Sequence, residues 1–163
     1  MSKTNFPRRV MAIASQGGHW VQLLRLRPAW DGCETIYVTT NKGYRDSVMD
    51  DALARNQSPP RFYAVRDASR WNKFALLQQM ISIMVIMAKT RPQVIVTTGA
   101  APGFFAICVG RLFGARTIWI DSIANAEELS LSGQRVGPYA HLWLTQWAHL
   151  ARPNGPHHMG GVL

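Results

Sequence analysis

The sequence predicts an α/β fold of the Rossmann type, with a parallel sheet and helices on both of its faces. Short apolar runs rich in valine and isoleucine alternate with longer helical segments, and turn residues separate the two. Strands that are separated by helices pair in parallel, and such sheets bind ligands at the carboxyl ends of their strands. Glycines and small residues follow the first and fourth predicted strands, so a candidate site is expected at that edge.

The first half of the chain is predicted to contain three strands and two helices. Val10–Ala14 is a continuous apolar run, Glu34–Thr40 has an apolar centre, and Arg61–Val65 is a short run after a polar region. His19–Trp30 carries apolar residues at helical spacing and forms the first helix. A second, short helix is expected near Ser47–Arg55, within the polar region.

The second half continues the alternation of strands and helices. A long apolar helix is stopped by a proline, which cannot continue a helix, and three further apolar runs are short enough to be strands. The predicted helices are Trp71–Lys89 and Pro102–Phe113, and the predicted strands are Gln93–Thr97, Arg116–Asp121 and Leu142–Thr145.

Composition indicates one globular domain in a reducing, cytoplasmic compartment. The chain has 163 residues, of which 47% are hydrophobic and 17% charged, so it is long and apolar enough to bury a core. Its two cysteines, Cys33 and Cys108, belong to no CxxC motif or Cys/His cluster. Neither a disulfide framework nor a metal is expected, and no cofactor is predicted. The polar, basic opening residues are unlike a signal peptide.

The net charge of +9 predicts an acidic partner. Of the 18 Lys and Arg residues, 14 lie in residues 1–91, so the positive charge is concentrated in the first part of the chain. Anionic lipid headgroups, a diphosphate and nucleic acid all fit this charge. The sequence has no recognition helix, RNP motif or zinc finger, which argues against nucleic acid.

The segment Ser15-Gln16-Gly17-Gly18-His19 connects the first strand to the first helix and is a candidate anion site. Adjacent glycines allow close approach of the backbone, and a helix N-terminus offers free amides with a partial positive charge. The segment satisfies neither the dinucleotide fingerprint nor the Walker A pattern. A tight turn without a ligand is therefore the alternative.

Two further loops lie at the same predicted edge of the sheet. The small-residue turn after the fourth strand offers a second set of amides, and it consists of Gly99, Ala100, Ala101, Pro102 and Gly103. Asp121 and Ser122 follow the fifth strand. Asp121 is expected either to cap a helix or to act on a substrate, and both roles remain open.

Six segments in order along nearly the whole chain resemble one known family. They are SQGGHWVQLL (15–24), DASRWNK (67–73), TGAAPG (98–103), WIDSIAN (119–125), EELSLSG (127–133) and LTQW (144–147). They resemble the bacterial exopolysaccharide relatives of the membrane-anchoring subunit of the eukaryotic UDP-GlcNAc transferase. That enzyme adds the second GlcNAc to a dolichyl-diphosphate-linked sugar.

The resemblance implies that residues 1–163 form the acceptor-binding, N-terminal half of a GT-B glycosyltransferase, similar to that half of MurG. The half that binds the UDP-sugar would be a separate chain, and this chain alone would be inactive. The implied reaction is inverting transfer of a sugar, with GlcNAc and glucuronic acid both plausible, to a polyprenyl-diphosphate-linked acceptor.

Within that reaction, the amides around Gly17 and Gly18 and those of the second turn would hold the acceptor diphosphate, and Ser122 is a further candidate ligand of that diphosphate. A base must take the proton of the acceptor hydroxyl, and an imidazole that is neutral near pH 7 can do so. His19 is the first candidate base and Asp121 the second. His19 has an alternative role as a ligand of the phosphate.

The family implies attachment to the membrane. In the eukaryotic subunit a transmembrane helix precedes the first strand, and a different mode of attachment is expected for this chain. Here the apolar stretch 74–88 is too short for a span of about 20 residues. It is expected either to be buried against the sheet or to dip into a bilayer. Arg70, Trp71 and Lys73 suit an anionic surface, so peripheral binding to the inner face of the cell membrane is predicted.

Partner contact is expected near the end of the chain, at Gln146 and Trp147, although core packing of the tryptophan is the alternative. Two other function classes remain open at the level of sequence. One is a non-catalytic scaffold that recruits a glycosyltransferase to the membrane. The other is a nucleotide-binding Rossmann module that binds a UDP-sugar by itself.

Overall fold

The computed structural model describes residues 8–69 and 71–162 and places the strands of this part in one parallel sheet. The order across the sheet is β3-β2-β1-β4-β5-β6-β7, and each neighbouring pair is parallel. The strands are β1 Arg9–Ala14, β2 Glu34–Thr39, β3 Arg61–Ala64, β4 Val94–Thr97, β5 Arg116–Ile120, β6 Leu142–Thr145 and β7 His157–His158. The predicted fold class is confirmed.

Helices connect most of the strands and cover the sheet. The α-helices of the described residues are α1 Gly18–Arg25, α2 Arg45–Ala54, α3 Lys73–Thr90, α4 Ala100–Leu112 and α5 Leu131–Val136. Short 3-10 helices lie at Arg27–Trp30, Lys42–Tyr44 and Ala148–Leu150.

The core is divided into two layers, one on each face of the sheet. On one face, Met11, Ile13 and other strand residues pack with buried side chains of α3 and α4. On the other face, alternate strand residues such as Val10 and Ala12 pack with α1 and α2. The period of two along β1 therefore places side chains in both layers, which explains why its sequence is apolar from Val10 to Ala14.

The boundaries differ from the prediction where local chemistry overrides the apolar pattern. The predicted helix 19–30 is in fact two pieces, because Pro28 lies at the start of a separate 3-10 helix. The helix predicted from Pro102 begins at Ala100 instead. Both α5 and the two-residue β7 were missed, since six and two residues are too few to show a periodic pattern.

Helix α3 has one face in the core and an apolar face in solvent. Ala75, Ile83 and Met87 are buried against the sheet. Opposite them, Phe74 and Ile81 are 67% and 50% exposed. The expectation of a buried helix is thus met by one face only. Within the described residues, no helix has the length and apolar character needed to span a bilayer.

Candidate functional site

The topology creates a crevice between β1 and β4. The chain moves outward from β1 to β2 and β3, and then returns to place β4 on the other side of β1. The loops after β1 and β4 therefore leave the sheet in opposite directions, and this switch point is where open α/β sheets bind ligands. The two glycine turns predicted from the sequence are these loops.

The first glycine turn leads into an uncapped helix. Gly17 has φ 81°, a conformation that favours glycine, and α1 starts at the next residue. The first turn of α1 has neither an acidic residue nor a side-chain cap. Its leading amides thus have no helical acceptor and face the crevice as potential anion ligands.

Two amides of this turn are already used by neighbouring loops. The Gln16 amide donates to Thr40 Oγ1 at 3.0 Å, and the Gly17 amide donates to the Tyr44 hydroxyl oxygen at 3.3 Å. The ring of Tyr44 stacks on Trp20, with centroids 5.3 Å apart. The turn is therefore held rigidly, and its remaining donors lie at the start of α1. Ser15 lies at the base of the turn and is partly exposed.

The second turn leads into another uncapped helix. Gly99 has φ 121°, and the first turn of α4 lacks acidic residues and a side-chain cap. Ala100 has φ 64°, which residues with a β-carbon rarely adopt and which costs about 1–3 kcal/mol. Such strain is found disproportionately at functional sites.

Only part of the predicted second turn reaches the crevice. Ala100 and Ala101 are partly exposed, but Pro102 and Gly103 are buried in α4. A β-carbon at position 103 would collide with the Thr97 side chain, so this glycine allows close packing of helix and strand. The prediction that Pro102 and Gly103 bind the anion is corrected, since neither presents a free amide there and proline has none.

His19 lies between the two helix starts. Its Nδ1 is 2.8 Å from the carbonyl oxygen of Thr98, and Thr98 Oγ1 donates in return to the His19 carbonyl oxygen at 2.6 Å. A carbonyl can only accept, so Nδ1 must carry the proton of this bond. In the neutral imidazole, Nε2 then has a free lone pair that can accept a proton.

The position of the ring depends on the glycine that follows Thr98. A β-carbon on Gly99 would lie 3.0 Å from His19 Cε1 and 3.1 Å from Nδ1. These distances are shorter than ordinary van der Waals contact. The glycine is thus needed both for its backbone angle and for the space that the imidazole occupies.

Asp121 lies at the end of β5 but is turned into the protein. Its carboxylate is 1% exposed and accepts from the Ser130 amide at 2.9 Å and the Ser130 hydroxyl at 2.7 Å. Trp119 Nε1 and Asn125 Nδ2 donate to it at 3.3 Å each. The carboxylate joins β5 to the start of α5, and a role as base would require it to break these bonds.

A buried network of side-chain hydrogen bonds joins α1 to the loops that follow β5 and β6. Gln22 Nε2 donates to Ser122 Oγ at 3.0 Å, and Gln22 Oε1 accepts from Gln146 Nε2 at 2.8 Å. Gln146 Nε2 also donates to the Asp121 carbonyl oxygen at 3.0 Å, and Gln146 Oε1 accepts from the Val162 amide at 2.9 Å. The network fixes α1 relative to the ends of β5 and β6.

This network changes the interpretation of two predicted residues. Ser122 is 5% exposed and Gln146 is 7% exposed, and both use their polar groups internally. Direct contact of Gln146 with a partner is therefore corrected to an internal, positioning contact. Trp147 is partly exposed, and its Nε1 donates to the Ile123 carbonyl oxygen at 2.8 Å. It is the member of the pair that retains accessible surface.

The predicted membrane residues lie at the start of α3. Trp71 is 82% exposed and Lys73 is exposed, whereas Arg70 lies outside the described residues. Among the described residues, no group of histidine, cysteine and acidic side chains has a metal-binding arrangement. Gln22, Tyr44 and Thr98 were not among the predicted site residues, although Gln22 and Thr98 lie in segments that carry the family resemblance. Gln22 lies one helical turn after His19 and Thr98 directly precedes Gly99, whereas no local pattern indicates Tyr44.

The fold and the position of the crevice define a class of protein. The chain is a Rossmann-like unit of the kind that forms the N-terminal half of GT-B glycosyltransferases. It is similar to the crystal structure of MurG from Acinetobacter baumannii, with a TM-score of 0.69 and 17% identity over 95% of this chain and 46% of MurG.

It is also similar to a UDP-GlcNAc 2-epimerase of Methanocaldococcus jannaschii in complex with UDP-GlcNAc and UDP. The TM-score is 0.58 and the identity 12%, over 85% of this chain and 40% of the epimerase. The chain thus spans less than half the length of either solved structure.

The chain belongs to the family described as "Oligosaccharide biosynthesis protein Alg14 like", whose model matches residues 10–163. It is similar to the UDP-N-acetylglucosamine transferase subunit ALG14 of Eremothecium gossypii, with 23% identity over 169 residues. That match covers 90% of this chain and 75% of the relative.

Proposed function

We propose that this chain is the acceptor-binding subunit of a two-chain glycosyltransferase. The enzyme transfers a sugar from a UDP-sugar to a polyprenyl-diphosphate-linked acceptor, in exopolysaccharide or lipid-linked oligosaccharide biosynthesis. The donor-binding half is a separate chain. Family membership supports this role, and the fold is similar to part of MurG, a match that covers 95% of this chain.

The observation that carries the proposal is the placement of His19 between two uncapped helix N-termini at the switch point of the sheet. The leading amides of α1 and α4 bind the two phosphates of the acceptor, because both helix ends favour negative charge. Lys and Arg in the first part of the chain add a general attraction for an anionic ligand.

The reaction requires removal of one proton from the acceptor hydroxyl. His19 Nε2 accepts this proton while the hydroxyl oxygen forms a bond to the anomeric carbon of the donor sugar. The bond from that carbon to the UDP oxygen breaks, and UDP leaves with the bonding electrons. The Thr98 carbonyl orients the ring and stabilises the imidazolium that forms, since it accepts from Nδ1 at 2.8 Å.

Replacement of His19 by asparagine tests the assignment. The asparagine amide can still donate to the Thr98 carbonyl, as Nδ1 does, but it cannot act as a base. With the reconstituted pair of chains, we expect kcat to fall about 10²–10⁴-fold while the KM for the acceptor changes little. A higher acceptor KM with an unchanged kcat would instead make His19 a phosphate ligand.

Asp121→Asn in the same assay tests the second candidate base. If His19→Asn and substitutions in the two glycine turns all left the activity unchanged, the non-catalytic scaffold would be favoured, because its only function is to recruit a glycosyltransferase to the membrane.

We also propose that the chain acts as a peripheral protein on the cytoplasmic face of the cell membrane. The exposed apolar face of α3 supports this, and its members are Phe74, Leu77, Ile81, Met84 and Val85. Basic residues flank it: Lys73 and Lys89 are exposed near its two ends. An apolar face with flanking cations suits the interface of an anionic bilayer.

A further inference from the structure

An apolar groove lies beside the candidate site. Its volume is about 380 Å³, within the range of small-molecule sites. The walls come from the loop after β3, the first turns of α4 and the start of α5. The lining residues are Ala68, Ala101, Phe104, Leu131, Ser132 and Arg135.

The groove adjoins the proposed diphosphate site at Ala101. Ala101 lies in the first turn of α4, next to the strained Ala100, so one end of the groove begins where the helix presents its amides. At the other wall, Ala68 lies three residues before Trp71, which is 82% exposed at the start of α3. The lining of the groove thus includes Ala101 from the start of α4 and Ala68 from the loop between β3 and α3.

The walls of the groove are mainly apolar. The Phe104 ring is partly buried and makes edge contacts with Phe105 and Tyr139, with centroids 6.2 Å and 6.4 Å away. Leu131, in contrast, is 55% exposed. A large apolar side chain in a concave surface beside an anion site is suited to a ligand that carries an apolar chain next to a phosphate.

Arg135 adds a charge to this apolar surface. It is exposed, and the ion pairs found among the described residues do not include it. A guanidinium that is free of carboxylates can bind a phosphate at the end of the groove. The groove therefore combines an apolar floor, a cation and adjacent helix amides.

We propose that this groove binds the first isoprene units of the polyprenyl diphosphate. The inference rests on the proposed function, since it assumes a diphosphate at the helix starts. It adds a specificity determinant: the groove makes the site select a lipid-linked diphosphate over a water-soluble one.

Farnesyl diphosphate and inorganic pyrophosphate are suitable probes, because they share the anion and differ in the isoprenoid chain. Calorimetry with the full chain, at lipid concentrations below micelle formation, gives a Kd for each. We expect farnesyl diphosphate to bind at least about tenfold more tightly, which burial of only two methylene groups would supply.

Leu131→Gln is the test variant, and Leu53→Gln is its matched control. Leu53 is 78% exposed on α2 and does not line the groove, so both changes remove an exposed leucine and neither should unfold the chain. We expect the ratio of the two dissociation constants to collapse toward one in Leu131→Gln and to persist in Leu53→Gln.

The outcomes separate this inference from the proposed function. Equal affinity of the unsubstituted chain for the two probes would overturn the groove but leave the diphosphate site standing. A preference for farnesyl diphosphate that survives Leu131→Gln would also overturn it, since the lipid would then bind elsewhere. Failure to bind either probe would contradict the proposed acceptor site itself.

Discussion

At the scale of single residues, His19 shows what a sequence can and cannot reveal. A histidine after two glycines indicates a side chain at the edge of an anion site. The sequence does not reveal that the Thr98 carbonyl, 79 positions away, fixes the ring and its protonated nitrogen. That contact exists only because β1 and β4 are neighbours, which is a property of the strand order.

Asp121 shows a second limit of sequence analysis, because the sequence leaves its role open and its hydrogen-bond partners decide it. Its place at the end of a strand was predicted, and both a structural and a chemical role remained open. The loop that follows folds back so that Ser130 donates to the carboxylate twice. No local pattern specifies this return, and burial with four hydrogen bonds favours the structural role.

Gly99→Ala tests whether the space beside His19 matters for turnover. The new β-carbon would lie 3.0 Å from His19 Cε1, so the ring must move. A displacement of the catalytic group by about 1 Å can cost about 10²-fold in rate; the shift needed here is a few tenths of an ångström, so we expect kcat of the reconstituted enzyme to fall, by up to about 10²-fold.

Gly32→Ala is the matched control for that variant. Gly32 also has a positive φ, of 76°, but a β-carbon there would meet nothing within 4 Å. Both variants should lose stability in denaturant titrations, because both place alanine at a positive φ; we expect a loss of about 1–2 kcal/mol at Gly32 and a larger loss at Gly99, whose φ of 121° and ψ of −161° are essentially restricted to glycine. If both retained full kcat, the proposed position of the ring would be irrelevant to catalysis.

At the scale of elements, α3 was the hardest to interpret from sequence. Its residues are apolar on nearly every side, so periodicity cannot indicate which face meets the sheet. Packing against β-strands selects one face, and the remaining apolar residues are left in solvent. Burial therefore describes one face of α3, and the prediction of membrane binding concerns the other, exposed face.

Ile81→Glu tests the exposed face of α3, with Leu53→Glu on α2 as a control that adds the same charge. Ile81 is 50% exposed, so the change should leave the fold intact. Burial of an isoleucine side chain is worth about 1.5–3 kcal/mol, and we expect sedimentation with anionic vesicles to fall about tenfold.

The control variant should sediment like the unsubstituted chain. The membrane proposal would fail if the unsubstituted chain bound neutral and anionic vesicles equally and negligibly. It would fail as well if the two glutamate variants lost binding to the same extent, since charge alone would then explain the effect.

At the scale of the whole molecule, alternation of strands and helices predicts a parallel sheet but not the order of its strands. The order places β1 between β2 and β4, and this creates the crevice in which both glycine turns lie. The resemblance to one family supplied the interpretation of the chain as one half of an enzyme, and this interpretation stays a prediction.

A single crevice of this kind can serve an acceptor or a nucleotide, and the two possibilities differ in binding by the isolated chain. The surface next to the helix starts is a mainly apolar groove, whose lining includes only two polar side chains, Ser132 and Arg135, and it suits an apolar chain better than a uridine. We therefore expect calorimetry at 0.15 M salt, where long-range attraction is screened, to show UDP-GlcNAc and UDP-glucuronate binding no more tightly than pyrophosphate. Addition of the donor-binding chain should produce tight binding of one UDP-sugar. If the isolated chain instead bound a UDP-sugar tenfold more tightly than pyrophosphate, the nucleotide-binding module would be the better description, because uridine or sugar contacts would then lie in this chain.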